Sequence, residues 1–176
     1  GFSKLNAISH KKNSNPGYIL EKLDEAVLDA LSSKRYDQES KDGMDMALCS
    51  FDLINNKMQY AGAFRPLIKI HGENIEETKG NRYPIGGGSS YSKNGFTTHE
   101  FEINKGDCFY MFSDGFPDQF GGPKDKKFMN KKFKVLLQEI QSLSPNEQIS
   151  RLDTELENWK GDTEQVDDIL VIGVCF

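Results

Sequence analysis

The sequence of 176 residues has few cysteines and no long apolar run. Its three cysteines, Cys49, Cys108 and Cys175, show no C-x-x-C spacing, and each lies in an apolar segment typical of a strand. This pattern argues against a disulfide scaffold and predicts reduced thiols in the core of a cytoplasmic protein. No apolar run approaches the ~20 residues of a membrane span, which predicts a soluble domain.

The sequence also lacks an excess of positive charge. Its 22 lysines and arginines are outnumbered by 27 aspartates and glutamates, which gives a net charge of −5. Without a broad positive field, nucleic acid is not expected as a partner. The three histidines, His10, His71 and His99, share no spacing typical of metal ligands, and we assign them no role.

The length suits one domain with a core of its own, or most of a larger one. Gly1 stands where a native chain would have Met, and no signal peptide is recognisable. We therefore expect native sequence upstream of residue 1.

Three segments have the 3.6-residue periodicity of helices. Asn15-Pro16 is a good helix start, and the apolar positions that follow predict a helix over 16–34. Two more helices are predicted after residue 127, one carrying Phe128 to Ile140 and one opening at Ser144-Pro145. The spacing in Phe2 to Ser9 suits the end of another helix.

The other apolar segments alternate with period two and predict strands. One runs from Met44 to a turn at Asn55-Asn56, and further strands are expected at 58–61, 67–70 and 74–75. Residues 96–112 are interpreted as a hairpin whose second strand is buried. Residues 169–176 are apolar on both faces, which predicts a central strand. The fold class is α+β, with helices packed on antiparallel sheet.

Two aspartates lie where buried strands end or begin. Asp114 follows the aromatic run 109–113, and Asp167 precedes the apolar run that closes the chain. Carboxylates converging from separate strand ends suit a hard cation such as Mg²⁺ or Mn²⁺. Each motif alone has a simpler interpretation, because Asp-Gly is a common turn and paired aspartates are commonly solvated charge.

The order of the motifs resembles the C-terminal half of the SpoIIE-like branch of the PPM, or type 2C, metal-dependent phosphatases. The matching segments, in chain order, are Ala61-Gly62-Ala63-Phe64-Arg65-Pro66, Lys105-Gly106-Asp107, Ser113-Asp114-Gly115 and Asp167-Asp168. The resemblance covers essentially the whole chain, so residues 1–176 are expected to be the C-terminal portion of one phosphatase domain. It implies an antiparallel β-sandwich flanked by helices and lacking its N-terminal strands.

The resemblance also implies roles for individual residues. Asp114 and Asp167 would be ligands of one metal ion, Mn²⁺ or Mg²⁺, and act in catalysis through it. Asp118 would be an accessory acid or a ligand of a weaker third ion, and Asp168 would orient the start of the strand. The complete domain would hold two ions and use a metal-activated water to attack the phosphorus of phosphoserine or phosphothreonine.

The family takes its remaining metal ligands from an upstream D-x-x-G-x-G motif, which is absent here. Asp42-Gly43-Met44-Asp45 lies beyond the first predicted helix, the wrong place for it. The isolated chain is therefore expected to bind metal poorly and to turn over little. Loss of the first strands would expose apolar sheet and an unpaired edge, so self-association is also expected.

The resemblance implies a regulator of signalling in the cytoplasm, with a phosphoprotein substrate and an upstream sensor domain that could tether it to a membrane. The alternative is a non-catalytic interaction module with a phosphatase fold. Arg65 is a weaker candidate for holding the substrate phosphate. The lysines of 124–134 are interpreted as a solvated face rather than a partner surface, and Gly86-Gly87-Gly88 as a flexible loop rather than a phosphate cradle.

Overall fold

The computed structural model describes residues 15–32, 43–87 and 95–176. Its helices are α1 (Pro16–Ser32), α2 (Gly115–Asp118), α3 (Asn130–Ile140) and α4 (Pro145–Lys160). Its strands are β1 (Met46–Asp52), β2 (Lys57–Ala63), β3 (Leu67–His71), β4 (Asn74–Thr78), β5 (His99–Glu102), β6 (Asp107–Phe112), β7 (Phe120–Gly121), β8 (Lys126–Lys127) and β9 (Val171–Cys175). The predicted helix tail at 2–9 lies outside the described residues. No described helix is both long and apolar enough to cross a membrane.

The described residues form two compact units. Ile68–Thr78 and Asn104–Phe176 make up the second unit, which contains most of β3 and the elements β4, β6 to β9 and α2 to α4. The first unit contains α1, β1, β2 and β5. All the candidate metal ligands belong to the second unit.

In the first unit, α1 packs on the sheet β1-β2-β5. The helix starts where Asn15-Pro16 predicted, because the Asn15 Oδ1 accepts a hydrogen bond from the Tyr18 backbone N at 2.9 Å. Its apolar face buries Leu20 and Leu23 in one cluster with the β2 residues Ala61 and Ala63. The predicted helix is confirmed as far as residue 32, where the described segment ends.

The turn between β1 and β2 is also where the sequence placed it. The Asp52 carboxylate accepts from the backbone N atoms of Ile54 and Asn55, both at 3.1 Å, and Asn56 has a positive φ of 50°. Asn tolerates this left-handed conformation better than most residues. The turn sets the register in which Cys49 faces Tyr60.

The predicted hairpin over 96–112 is wrong. β5 pairs with β2 in the three-stranded sheet, whereas β6 pairs with β3 and β9 in the other. The backbone N of Ile103 donates to Asn56 O at 2.8 Å, so the end of β5 stays beside the β1–β2 turn. A turn sequence such as that of residues 104–107 occurs both in hairpins and in connections between two sheets. The sequence therefore does not distinguish the two.

The second unit contains a four-stranded sheet of order β4-β3-β6-β9. β6 is buried as predicted and supplies Tyr110 and Phe112 to the main core cluster. Phe112 meets Phe133 of α3 edge to face at a ring distance of 4.8 Å, and Phe116 of α2 packs on the same ring at 4.7 Å. Aromatic side chains therefore pack α2 and α3 against the end of β6, where the candidate ligands begin.

Both predicted C-terminal helices are confirmed. Ser144 and Glu147 form a capping box at the start of α4, with the Ser144 N donating to the Glu147 carboxylate at 2.9 Å. α3 buries Phe133, Leu136 and Leu137, which is the stripe that the periodicity predicted.

The last strand was predicted to be central, but among the described residues it is not. Within the part of the chain that the structure describes, β9 pairs with β6 alone, and Leu170 and Ile172 are exposed. An apolar run on both faces is typical of a strand covered on all sides. Here the expected neighbour is not among the described residues, so β9 forms an edge.

The prediction that the cysteines are reduced is wrong for two of them. Cys108 of β6 and Cys175 of β9 are directly opposite in register and form a disulfide, with a Cα–Cα distance of 4.1 Å. The two residues are 67 positions apart, and the sequence gives no sign that the strands pair. Cys49 is not in a disulfide and is half-buried, and burial raises the pKa of its thiol to about 12.

The predicted fold class, α+β with antiparallel sheets, is confirmed. The sequence did not predict the short helix α2 or the two-residue strands β7 and β8, since segments this short show no measurable periodicity.

Candidate metal centre

The turn at Ser113-Asp114-Gly115 connects β6 to the short helix α2. Asp114 is half-buried and occupies the N-cap position of α2, with φ −74° and ψ −12°, but its side chain does not cap the helix. The backbone N of Asp118 donates to Asp114 O at 2.8 Å. Residues four apart share one face of a helical turn, so Asp114 and Asp118 project from the same side of α2.

Ser113 joins this turn to the segment that leads into β9. Its Oγ donates to the backbone O of Asp168 at 2.8 Å and accepts from the backbone N of Leu170 at 2.9 Å. Its own backbone N donates to Leu170 O at 3.0 Å. These three bonds continue the β6–β9 pairing beyond Phe112 and place the residues around Asp114 beside those around Asp167.

Gly115 is required by this close approach. A Cβ on Gly115 would lie 2.4 Å from the backbone O of Asp168, far inside van der Waals contact. The S-D-G motif therefore has a packing reason here besides its turn propensity, because any larger residue would push the segment that holds Asp167 away from α2.

Asp167 and Asp168 are exposed in the segment before β9. The Asp167 Oδ1 accepts from the backbone N of Asp168 at 2.7 Å, and its carbonyl accepts from Gln165 Nε2 at 2.8 Å. Asp168 acts through its backbone carbonyl, which accepts from Ser113. This contact suits the orienting role that the resemblance implied for Asp168.

Asp118, the candidate accessory acid, is paired within the protein. Its Oδ2 lies 2.8 Å from the Lys127 Nζ, and both side chains are a little over two-fifths exposed. Lys127 was predicted only as part of the solvated basic face, because a contact made by a two-residue strand leaves no pattern in the sequence.

Gln119 and Trp159 were also missed, and they fix the ligand-bearing segments. The Gln119 side chain is fully buried, and its Nε2 donates to Glu164 O and to Phe120 O, both at 3.0 Å. The Trp159 Nε1 donates to Gln119 O at 3.1 Å. Gln119 thus ties the residue after Asp118 to the loop that leads to Asp167. Trp159 lies on the apolar stripe of the last helix, which indicates burial, but nothing in the sequence indicates its bond to Gln119.

The donor set suits a hard cation. Asp114, Asp118 and Asp167 offer carboxylate oxygens, the ligands that Mg²⁺ and Mn²⁺ prefer, and Mg²⁺ commonly uses only one or two protein carboxylates and several waters. Among the described residues, no group of three or more His, Cys, Asp or Glu side chains converges closely enough to hold an ion.

Arg65 belongs to the first unit, in the turn between β2 and β3. Its guanidinium donates to the Asp45 carboxylate at 2.7 Å, and its carbonyl accepts from the Tyr60 hydroxyl. A Cβ on Gly62 would meet that hydroxyl and that carbonyl, so the glycine of the A-G-A-F-R-P turn allows this packing. Arg65 has a structural partner, and its predicted role with substrate stays a prediction.

The K-G-D turn carries a buried ionic cluster. The Asp107 side chain is 1% exposed and lies 2.9 Å from the Lys69 Nζ and 2.8 Å from the His71 Nδ1. The backbone N of Asn104 also donates to it at 2.9 Å. Burial raises the pKa of Asp107, but these donors outweigh burial, and the pKa lies below its ordinary value. The cluster holds the start of β6 against β3.

The remaining candidates have local partners as well. In the basic segment, Lys132 pairs with Glu155 at 3.0 Å and Lys134 pairs with Glu77. These ion pairs fit the interpretation of a solvated face. The backbone N of Gly86 donates to the buried Asp24 carboxylate of α1 at 2.7 Å, while residues 88–90 lie outside the described residues.

The fold is that of a PP2C-type phosphatase domain. The SiaA-PP2C domain of Pseudomonas aeruginosa matches 99% of this chain with a TM-score of 0.85 and 28% identity. The RsbU and RsbW domains of a Mycobacterium tuberculosis protein match 97% of this chain with a TM-score of 0.67 and 21% identity. The SpoIIE phosphatase domain of Bacillus subtilis matches 99% of this chain with a TM-score of 0.60 and 17% identity. The sequence profile described as Stage II sporulation protein E (SpoIIE) matches residues 3–176, and the chain belongs to this family.

The chain spans 66% of the SiaA-PP2C chain, 44% of the M. tuberculosis chain and 70% of the B. subtilis chain. It is thus less than two thirds of the length of the first two. No curated protein sequence matches it.

Proposed function

We propose that the protein containing this chain is a metal-dependent serine/threonine protein phosphatase, in which Asp114 and Asp167 hold one Mg²⁺ or Mn²⁺ ion. The observation that carries the proposal is the set of bonds through Ser113, which brings the residues around both aspartates together in a chain of the SpoIIE family. The structures of similar fold include RsbX in complex with magnesium and the SpoIIE phosphatase domain of Bacillus subtilis presoaked with manganese, which supports the choice of these metals.

In this proposal the residues of the chain position the metal ion. Asp114 and Asp167 bind the ion from two segments, Ser113 keeps those segments at a fixed separation, and Gly115 allows them to touch. When bound, the ions of such a centre supply Lewis acidity and lower the pKa of a water that attacks phosphorus. The exposed position of Asp167 leaves the centre open to a phosphorylated side chain of another protein.

The proposed setting is a regulatory one. Among the similar structures, one contains an RsbW domain beside its RsbU domain, and another carries a fragment of a regulatory domain. By analogy we propose a phosphoprotein substrate and a regulatory or sensor domain outside these 176 residues. The cytoplasmic location stays a proposal from the sequence.

The test is Mn²⁺-dependent hydrolysis of p-nitrophenyl phosphate and of a phosphoserine peptide by the full-length protein that contains this chain. Asp114→Ala and Asp167→Ala should each lower kcat by at least ~100-fold, because each removes a metal ligand. Asp153→Ala, an exposed aspartate of α4, is the matched control and should leave the rate unchanged. Full activity in both ligand variants would refute the assignment.

A non-catalytic interaction module is the competing function. It is favoured by the lack of a group of three metal-ligating side chains among the described residues and by the pairing of Asp118 with Lys127. The same assay decides between the two, since a well-folded full-length protein without metal-dependent turnover would be the interaction module.

A further inference from the structure

Lys127 is placed so that it reaches a candidate metal ligand. It lies on β8 opposite Phe120 of β7, with its Nζ 2.8 Å from the Asp118 Oδ2 and 5.9 Å from the centre of the Phe120 ring. The ion pair thus crosses from the hairpin β7–β8 to the end of α2.

The backbone that carries Lys127 is fixed from several directions. The backbone N of Phe128 donates to Gln119 O at 2.9 Å, and that of Gly122 donates to Trp159 O at 2.8 Å. A Cβ on Gly121 would lie 1.9 Å from Trp159 O, so the hairpin is seated directly on the end of α4. With its backbone held, Lys127 can leave Asp118 only by rotation of its own side chain.

The neighbouring lysines are directed elsewhere. Lys126 precedes Lys127 on the same two-residue strand and therefore projects to the opposite face, and it forms no ion pair with any described residue. Lys132 and Lys134 pair with acids outside the candidate centre. Within the described residues, Lys127 is the lysine of this segment that contacts a candidate ligand.

We propose that Lys127 is a built-in counter-ion of Asp118, which sets how tightly a divalent cation binds at the accessory position. The inference rests on the proposed metal centre. With no cation present, the ammonium group neutralises the carboxylate and holds it on the hairpin side of α2. A divalent cation that binds the Asp118 carboxylate must displace this ammonium group or tolerate its positive charge nearby. The accessory position is thereby made weaker than the position at Asp114 and Asp167.

The exposure of the Lys127 and Asp118 side chains determines how strongly Lys127 affects the affinity for a cation. Both partners are more than two-fifths exposed, so solvent and salt screen the pair, and such pairs are worth only a small factor in an equilibrium. Removal of the positive charge should therefore tighten the weaker cation site by roughly two- to fivefold at low ionic strength, and by less at high salt.

The experiment is a Mn²⁺ titration of the full-length protein that contains this chain, followed by the EPR signal of free Mn²⁺ at 20 and 300 mM salt. Lys127→Gln should tighten the weaker class of sites, Lys127→Arg should restore wild-type affinity by keeping the charge, and Lys126→Gln is the matched control. Asp118→Asn in the Lys127→Gln background should abolish the gain. Thermal melts of all variants separate a change in folding from a change in affinity.

Equal affinities for Lys127→Gln and Lys126→Gln, or a gain that survives Asp118→Asn, would overturn the role of Lys127 alone, provided that Asp114→Asn still removes Mn²⁺ binding. Absence of Mn²⁺ binding to every variant, including the wild type, would overturn both this role and the proposed metal centre.

Discussion

At the scale of single residues, Ser113 shows how one hydroxyl can organise a site. Its Oγ is both donor and acceptor, and both of its bonds reach the segment around Asp168. A hydroxyl that bridges two backbone groups cannot be replaced by a methyl group without the loss of both hydrogen bonds.

We predict that Ser113→Ala lowers the free energy of unfolding by about 1–2 kcal/mol, since Asp168 O and Leu170 N each lose a partner. It should also weaken Mn²⁺ binding, because the two ligand segments are no longer tied through the hydroxyl. Urea denaturation and a Mn²⁺ titration measure the two effects. Ser150→Ala, on the exposed face of α4, is the control, and an equal effect of both variants would contradict the role of Ser113.

Asp107 predicts a pH dependence of stability. Its folded-state pKa lies below the ordinary value of 3.8, so the stabilisation it provides is complete above that value and is lost as the pH falls through the folded-state pKa. Its side-chain partners in the fold are Lys69 and His71.

We therefore expect Asp107→Asn to lower the free energy of unfolding at pH 7 by about 2–3 kcal/mol, because Lys69 loses its carboxylate. The variant should also lose less stability than the wild type between pH 5 and pH 3. Urea denaturation over that range checks both expectations, with Asp153→Asn as the exposed control. Parallel pH profiles of wild type and Asp107→Asn would contradict this account.

At the scale of elements, the sequence was sufficient to predict a helix or strand where the signal for it is local. The helix after Asn15-Pro16 and the helix that opens at Ser144-Pro145 depend on residues within a few positions of each other, and both were predicted. Contacts between residues that are distant in sequence were not predicted. The turn at 104–107 looks the same in a hairpin and in a crossover between sheets, and nothing in the sequence near Cys108 indicates that Cys175 lies opposite.

The disulfide between β6 and β9 gives an element-scale prediction. A cross-link that closes a loop of 67 residues restricts the unfolded chain, so reduction or Cys175→Ser should lower the free energy of unfolding by about 2–4 kcal/mol. Cys49→Ser is the matched control and should keep the full response to reductant, because Cys49 is outside the bridge. A Cys175→Ser variant as stable as the oxidised wild type would disprove the bridge.

At the scale of the whole molecule, the order of motifs was the strongest sequence signal. Four short motifs in family order predicted an α+β phosphatase fold, and the family and fold are confirmed. The site could be foreseen only in part. Asp114 and Asp167 were picked out because they lie at strand ends, whereas Lys127 and Gln119 act through tertiary contacts without any periodic pattern.

Self-association is the whole-molecule prediction. Among the described residues β9 has one neighbouring strand, and Leu170 and Ile172 are 58% and 44% exposed, so two copies can pair along this edge. We expect concentration-dependent dimers in light scattering that Ile172→Lys disrupts. Ile149→Lys, which changes an exposed isoleucine of α4, should leave them intact. A monodisperse monomer at every concentration would contradict the prediction.

The central claim is that the segments around Asp114 and Asp167 bind one metal ion, and paramagnetic broadening of amide NMR signals tests it most directly. Substoichiometric Mn²⁺ should broaden the amide signals of residues 113–118 and 165–170 first, with Mg²⁺ competing and with Asp114→Asn abolishing the effect. The signals of α4 residues such as Ser150 should persist as an internal reference. Broadening that misses either segment, or that survives Asp114→Asn, would contradict the account.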